Sequence, residues 1–232
     1  STARALAERL GALPLRRPRG APPLAPALAE PWWQAADHLL EDGADPAAVE
    51  AAHADMGFAA GPLGWRDRMG LGALAAARAR AADRRDPRAR HVPLVERLVA
   101  TGRDGAAAGA GVLDWPDGPD GMSRRAAETE ALLGRLRAEA GLAPRRVTRD
   151  EIAATCRLAL TLGALRLWHS GAASAAEIDL AAIHGLGMPD WTGGPLHAAK
   201  TAGRASVEQA IAARARAEDA LFWHLDVATA AQ

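Results

Sequence analysis

The chain has 232 residues, is 49% apolar, and balances 28 basic side chains against 28 acidic ones for a formal net charge of +0. That length buries a real core as one large domain or two small ones, and the charge balance excludes the positive excess of a nucleic-acid binder. A lone Cys156 excludes a disulfide framework and a cysteine-based metal site.

Alanine fills roughly a quarter of the chain, far above ordinary usage, and it is the best helix former. Runs of β-branched residues are nearly absent, so the expected fold class is all-α. Every basic side chain except Lys200 is arginine, and RRPRG at 16–20 and RRDPRAR at 84–90 read as solvated loops. No apolar run approaches the ~20 residues that cross a membrane. The opening STARALAERLGALPL lacks a leader pattern, and a cytoplasmic location is the expectation.

Residues 3–10 (ARALAERL) read as a helix stopped by Gly11, and 12–16 as a short extended piece. Prolines 22, 23, 26 and 31 argue against a long helix before Pro31, which fits the first turn of WWQAADHLLEDG with Gly43 as its stop. Asp45 is placed to cap a second helix, with Pro46 in its first position. A third helix covers DRMGLGALAAARARAADRR up to Asp86-Pro87, and VPLVERLVATG is a shorter fourth. The Gly/Pro/Asp-rich stretch 105–122 reads as a flexible connector. Beyond it, Thr148 and Glu151 fit a capping box ahead of IAATCRLALTLGALRLWHSG. ASAAEIDLAAIHG and ASVEQAIAARARAEDALFWHL complete the series.

One elbow occurs twice. GFAAGPLGWRDRMG (57–70) and GMPDWTGGPLHAAKTAG (187–203) each carry a Gly-Pro pair, Gly61-Pro62 and Gly194-Pro195, and each reaches another glycine, Gly70 or Gly203. The helix before each elbow holds an acid after a β-branched residue, Val49-Glu50 and Ile178-Asp179. A duplicated unit of about 85 to 100 residues accounts for this order.

These residues resemble the helical C-terminal region of the 3-hydroxyacyl-CoA dehydrogenase family, in the long form found in multifunctional fatty-acid β-oxidation enzymes. The likeness rests on LLEDG at 39–43, on Gly61, Pro62, Leu63, Asp67 and Gly70, on GAGVLDWPDG at 109–118, and on EIDLAAIHGLGMPDWTGGPL at 177–196. The resemblance implies two tandem copies of a small helical unit, of the 6-phosphogluconate dehydrogenase C-terminal-like kind, without the Rossmann domain. It divides the chain into a remnant of the NAD-binding domain (1–20), a first helical unit (21–105), a connector (106–145) and a second helical unit (146–232).

Several positions depart from the family pattern. Pro26-Ala27 stands where the family has an Asn-Arg pair whose asparagine orients substrate, and Gln34-Ala35 where it has Asn-Glu. Leu162-Gly163 takes the equivalent place in the second copy, Lys200 replaces the aspartate of the second elbow, and Val112 replaces an aromatic. The family's catalytic histidine belongs to the NAD domain, and no histidine here has its surroundings.

The glycines of GAAAGAGV have the wrong spacing for a dinucleotide turn, and no strand precedes them. No catalytic, cofactor-binding or metal residue is therefore expected in this chain. His53 and Asp55 fall on different faces of a helix, and His169 suits a helix C-terminus. His184, Asp190 and His197 read as loop polar groups. The seven tryptophans read as core anchors, with Trp65 and Trp191 joining the two units. Gly61, Pro62, Asp67, Gly193, Gly194 and Pro195 remain as a motif of substrate-side or structural meaning.

The expected function is the substrate and dimerisation portion of an NAD-dependent dehydrogenase, not catalytic alone. Its implied partners are an N-terminal Rossmann domain, an acyl-CoA substrate reached through the intact enzyme, and a second copy in a homo-oligomer. NAD is implied for the full-length enzyme and none for this chain, with no nucleic acid and no membrane span. The alternative is a non-catalytic helical scaffold derived from the same family.

Overall fold

The alanine-rich, strand-poor sequence folds into helices joined by turns. The computed structural model describes residues 2–11, 14 and 23–225. It places α1 at Thr2–Arg9, α2 at Leu24–Asp42, α3 at Pro46–Asp55, α4 at Pro62–Met69, α5 at Leu71–Ala81 and α6 at Leu94–Ala100. Then follow α7 at Ala127–Glu139, α8 at Arg149–His169, α9 at Ala175–Leu186, α10 at Pro195–Ala202 and α11 at Arg204–Ala217. Among the described residues, β structure is limited to isolated bridges at 105–124. The extended piece expected at 12–16 and the basic run at 16–20 lie outside the described residues, apart from Pro14.

Helices α2–α5 and α8–α11 match in order and closely in length. The long helices have 19 and 21 residues, the next pair 10 and 12, and both elbow helices 8. The two sets are not separate bodies, because α2 lies along α8 and also packs on α9. Leu28, Trp32, Trp33 and Leu40 of α2 meet Ile152, Leu160 and Leu165 of α8 in one core. Burying each such side chain contributes about 1.5–3 kcal/mol. The helices come close at Gly163, where an added Cβ would lie 2.5 Å from the Leu28 carbonyl oxygen. Trp65 ties α4 to the second set by donating from Nε1 to Gly185 O at 2.9 Å.

Several expectations from sequence need correction. The helix expected from Pro31 begins at Leu24 and runs through Pro26 and Pro31. Pro26 falls in the first turn, where its missing N–H has no intrahelical partner to lose, while Pro31 gives up one bond inside a buried helix whose packing outweighs the loss. The expected third helix is two, because it starts at Pro62 and breaks at Gly70 (φ 89). Residues 106–145 are not simply a connector, since α7 lies within them. Arg90 is no solvated loop residue; it reaches α2 to pair with Glu41 and Asp42, both at 2.6 Å. Trp191 is no core anchor, being 77% exposed, and reaches the first set only beside Gly57.

Caps follow the local sequence more closely. Asp45 accepts from Ala47 N, Thr148 from Glu151 N, and Ser174 with Glu177 closes a full capping box. Glu151 turns instead to Arg145, so the box at Thr148 is half made.

The buried polar groups are chemically quiet. Cys156 is fully buried, and burial pushes its thiol upward, away from reactivity. His53 accepts from Trp32 Nε1 at 2.9 Å, so its proton sits on Nδ1 facing Val49 O at 2.7 Å. Burial lowers its pKa from 6.5 to about 4, with the Val49 carbonyl opposing. Between those values the unfolded chain binds a proton at His53 and the folded chain does not. Stability is therefore whole above about pH 6.5 and is lost as pH falls towards 4, by about 3 kcal/mol for this group. Urea unfolding of His53→Gln should show a shallower decline across that window than the wild type; parallel curves would contradict this.

Candidate functional site

Both elbows are built the same way. The carboxylate of Glu50, on α3, accepts from the backbone N–H groups of Gly61 (3.0 Å) and Leu63 (2.9 Å) at the start of α4. Asp179, on α9, accepts from Leu196 (2.7 Å) and His197 (3.1 Å) at the start of α10. Each acid satisfies orphan donors at a helix N-terminus and meets the positive end of its dipole. Burial pushes the Glu50 carboxyl up, and the N–H groups of Leu63, Gly64 and Gly61 pull it down.

The glycines make this approach possible. A Cβ at Gly61 would stand 2.8 Å from Glu50 Cδ, and one at Gly194 would stand 2.6 Å from Asp179 Cα. Pro62 and Pro195 occupy first helical positions and are buried, and Gly193 (φ 70) closes the short turn Asp190–Thr192. Sequence reading marked Glu50 and Asp179 only as signs of a repeat. Their recurrence on the helix before each elbow was the available signal that they cap it.

Asp67 is fully buried and is spent on the chain itself. Its carboxylate accepts from Val112 N (2.9 Å), Leu113 N (2.8 Å) and Trp115 Nε1 (3.0 Å). Burial raises its pKa, against the pull of the Trp115, Leu113 and Val112 donors and of Arg66. The glycine run 105–111 is thus strapped to α4 rather than flexible. The six motif residues fall at two elbows, whose preceding loops touch through Ala59 N and Gly187 O at 3.0 Å.

A cleft of about 800 Å³ opens elsewhere, between α2, α5, the loop 84–92 and the turn at 219–222. Pro26, Ala27, Glu30, Gln34 and Asp37 form its α2 wall, with Trp33 and Leu74 among its apolar surfaces. Asp37 is buried and binds Arg66 at 2.6 Å and Arg78 at 3.2 Å, while Gln34 donates to Glu30 at 3.0 Å. Burial works against the charge of Arg78, but Asp37, Glu30 and Glu96 outweigh it and raise its pKa. Arg80, Arg84, Arg85 and Arg90 make the opposite rim basic. Burial, reinforced by Arg90, lowers His38 to about 4, so it is neutral at physiological pH. Its ring meets Phe222 edge-on at 5.0 Å.

The cleft can hold an apolar group with an anionic end, but it presents no nucleophile paired with a base. Among the described residues no group of His, Cys, Asp and Glu could hold a metal ion. His169 is buried at the end of α8, and His53 and Asp55 do not converge, His53 being in the core and Asp55 reaching Arg149 outside. No helix of the described residues is long and apolar enough to cross a membrane.

Residues 25–115 match the family described as 3-hydroxyacyl-CoA dehydrogenase, C-terminal domain. That span runs to Trp115 and takes in the strap held by Asp67. The peroxisomal bifunctional enzyme of Homo sapiens is 31% identical over 194 residues, covering 76% of this chain and 26% of that protein. The same enzyme of Cavia porcellus is 31% identical over 189 residues, with the same coverage. The chain therefore spans about a quarter of the length of these relatives.

Among solved structures, 3-hydroxybutyryl-CoA dehydrogenase from Escherichia coli K12 matches with a TM-score of 0.71 and 17% identity, over 96% of this chain and 62% of that one. The dehydrogenase part of multifunctional enzyme 1 from C. elegans matches with a TM-score of 0.55 and 16% identity, over 75% of this chain and 38% of that one. At those identities the likeness is one of fold.

Proposed function

We propose that the chain is a member of the family that residues 25–115 match, that of the 3-hydroxyacyl-CoA dehydrogenase C-terminal domain, and that it forms the substrate-side helical portion of such an enzyme. The observation that carries the reading is the α2 wall of the cleft. Pro26 and Ala27, aligned with the family's Asn-Arg pair whose asparagine orients substrate, and Gln34, aligned with its Asn-Glu pair, all line it. In this role the apolar surfaces would receive an acyl chain and the arginine rim the anionic carrier. A second copy or an N-terminal domain would complete the enclosure.

The chemistry of such an enzyme is oxidation of a 3-hydroxyl, with hydride passing to NAD and the proton to a histidine base. The residues here do not fit NAD. A pyrophosphate needs free N–H groups at a strand-turn-helix, and the N–H donors that follow the glycine run 105–111, Val112 and Leu113, are taken by Asp67. No step through the cofactor is assigned to this chain, and neutral His38 supplies no paired base.

A second reading, a helical scaffold that has left catalysis, is favoured by Pro26 in place of the family's asparagine. Ala77, an exposed residue on the α5 side of the cleft, separates the two. Ala77→Trp fills the cleft without entering the core. If the cleft receives substrate, calorimetry should show at least tenfold weaker decanoyl-CoA binding by this variant at unchanged melting temperature. Equal binding by both proteins would remove the cleft from the account.

A further inference from the structure

In the first set of helices, the face made by the end of α2, by α4 and by the start of α5 is covered by the chain that follows. Asp104 accepts from Leu71 N and Gly72 N, Asp67 holds Val112 and Leu113, and Arg137 of α7 donates to the carbonyls of Leu40 (2.6 Å) and Glu41 (3.0 Å).

Among the described residues, the corresponding face of the second set has no such cover. There the end of α8, α10 and the start of α11 frame a groove of about 500 Å³, walled by Leu165, Trp168, Leu196 and Ala199. The correspondence is position by position. Lys200 stands as far after Pro195 as Asp67 after Pro62, and Trp168 as far before Gly171 as Leu40 before Gly43. Ala205 follows Gly203 as Gly72 follows Gly70. The described residues after α11, 218–225, turn instead to α2 and α8, where Phe222 meets His38 and Arg166 holds the Phe222 and His224 carbonyls.

The charge at the mouth is reversed. In the first set an acid on the elbow helix takes N–H donors, whereas here Lys200 is exposed and pairs with no acid among the described residues. Arg204 lies 5.0 Å over the Trp168 ring, with its Nε 3.5 Å from Glu208. We propose that this groove docks an extended polypeptide segment of a partner, one that sets an apolar side chain beside a carboxylate. A chain segment fits because the equivalent face is shaped around one within this same molecule. An acidic segment fits because Lys200 stands on this elbow helix where its twin carries Asp67, with Arg204 beside it at the start of α11.

The probe is a labelled decapeptide of the chain's own covering segment, GAGVLDWPDG, which joins apolar residues to two aspartates. Its counterpart has both aspartates replaced by lysine. Fluorescence anisotropy with the whole chain should give a dissociation constant on the order of 10–100 µM for the acidic peptide, and at least tenfold weaker binding for the basic one. Lys200→Glu should weaken the acidic peptide at least tenfold, and Ala205→Trp should abolish its binding. Both positions are exposed, so both variants should melt with the wild type. The proposal is overturned if the two peptides bind alike, or if neither substitution matters. It is equally overturned if no peptide binds and Ala205→Trp instead dissociates a wild-type dimer in sedimentation, which would make a second copy the occupant.

Discussion

Asp67→Ala will lower the unfolding free energy by about 3–9 kcal/mol, because three buried donors would each lose their acceptor at about 1–3 kcal/mol apiece. That is a large part of the 5–15 kcal/mol that ordinarily separates folded from unfolded chains. The donors come from Val112, Leu113 and Trp115, so the loss should free the strap from α4 and expose Trp115. Asp67→Asn should recover little. Both carboxylate oxygens accept, and an amide places a donor against one of the N–H groups whichever way it turns. Urea unfolding with near-ultraviolet circular dichroism reads both effects. Lys200→Ala, at the matching exposed position of the second elbow, should stay within about 0.5 kcal/mol of wild type. If Asp67→Ala were equally mild, the aspartate would serve a ligand rather than the fold.

Gly163 gives the second large effect, with a sign opposite to helix propensity. Glycine to alanine inside a helix ordinarily stabilises by about 1 kcal/mol. At Gly163 the new Cβ would meet the Leu28 carbonyl at 2.5 Å and the Pro31 ring at 3.3 Å. Backbone cannot give way as a side chain can, so α2 and α8 would have to separate along the core they share. Gly163→Ala should therefore cost about 1–3 kcal/mol, and Gly163→Leu should not yield a folded protein. Gly134, exposed on α7 with nothing within 4 Å, is the control, and Gly134→Ala should be neutral or stabilising. Thermal unfolding of the three variants decides it, since a gain at Gly163 would mean that the helices do not cross there.

Local chemistry made much of the fold legible. Alanine content and missing β-branched runs pointed to helices, Asp45 and Thr148 marked helix starts, and the doubled Gly-Pro elbow ordered the second half against the first. What sequence reading missed lies in contacts between distant segments. The prolines of α2 argued against a helix that packing on α8 sustains. Asp67 meets its partners 45 to 48 residues away, so the strap looked like a loose connector. Helix α7 carries Gly134 and sits between turn-forming stretches, which hid it inside that connector. Arg66 follows an exposed-looking pattern and yet is buried against Asp37. Trp65 and Trp191 looked equivalent, yet Trp65 hydrogen-bonds to the other set of helices while the exposed Trp191 only lies beside Gly57. For the cleft, the family pattern located Pro26, Ala27 and Gln34 without indicating that they share one wall with Asp37.

We propose that this chain supplies the substrate side of a dehydrogenase and holds no NAD site of its own. Calorimetric titration of the purified 232-residue chain with NAD and, separately, with decanoyl-CoA tests it most directly. Heat of binding is expected for decanoyl-CoA and none for NAD at concentrations up to the millimolar range; saturable NAD binding, or no interaction with decanoyl-CoA, would contradict this role.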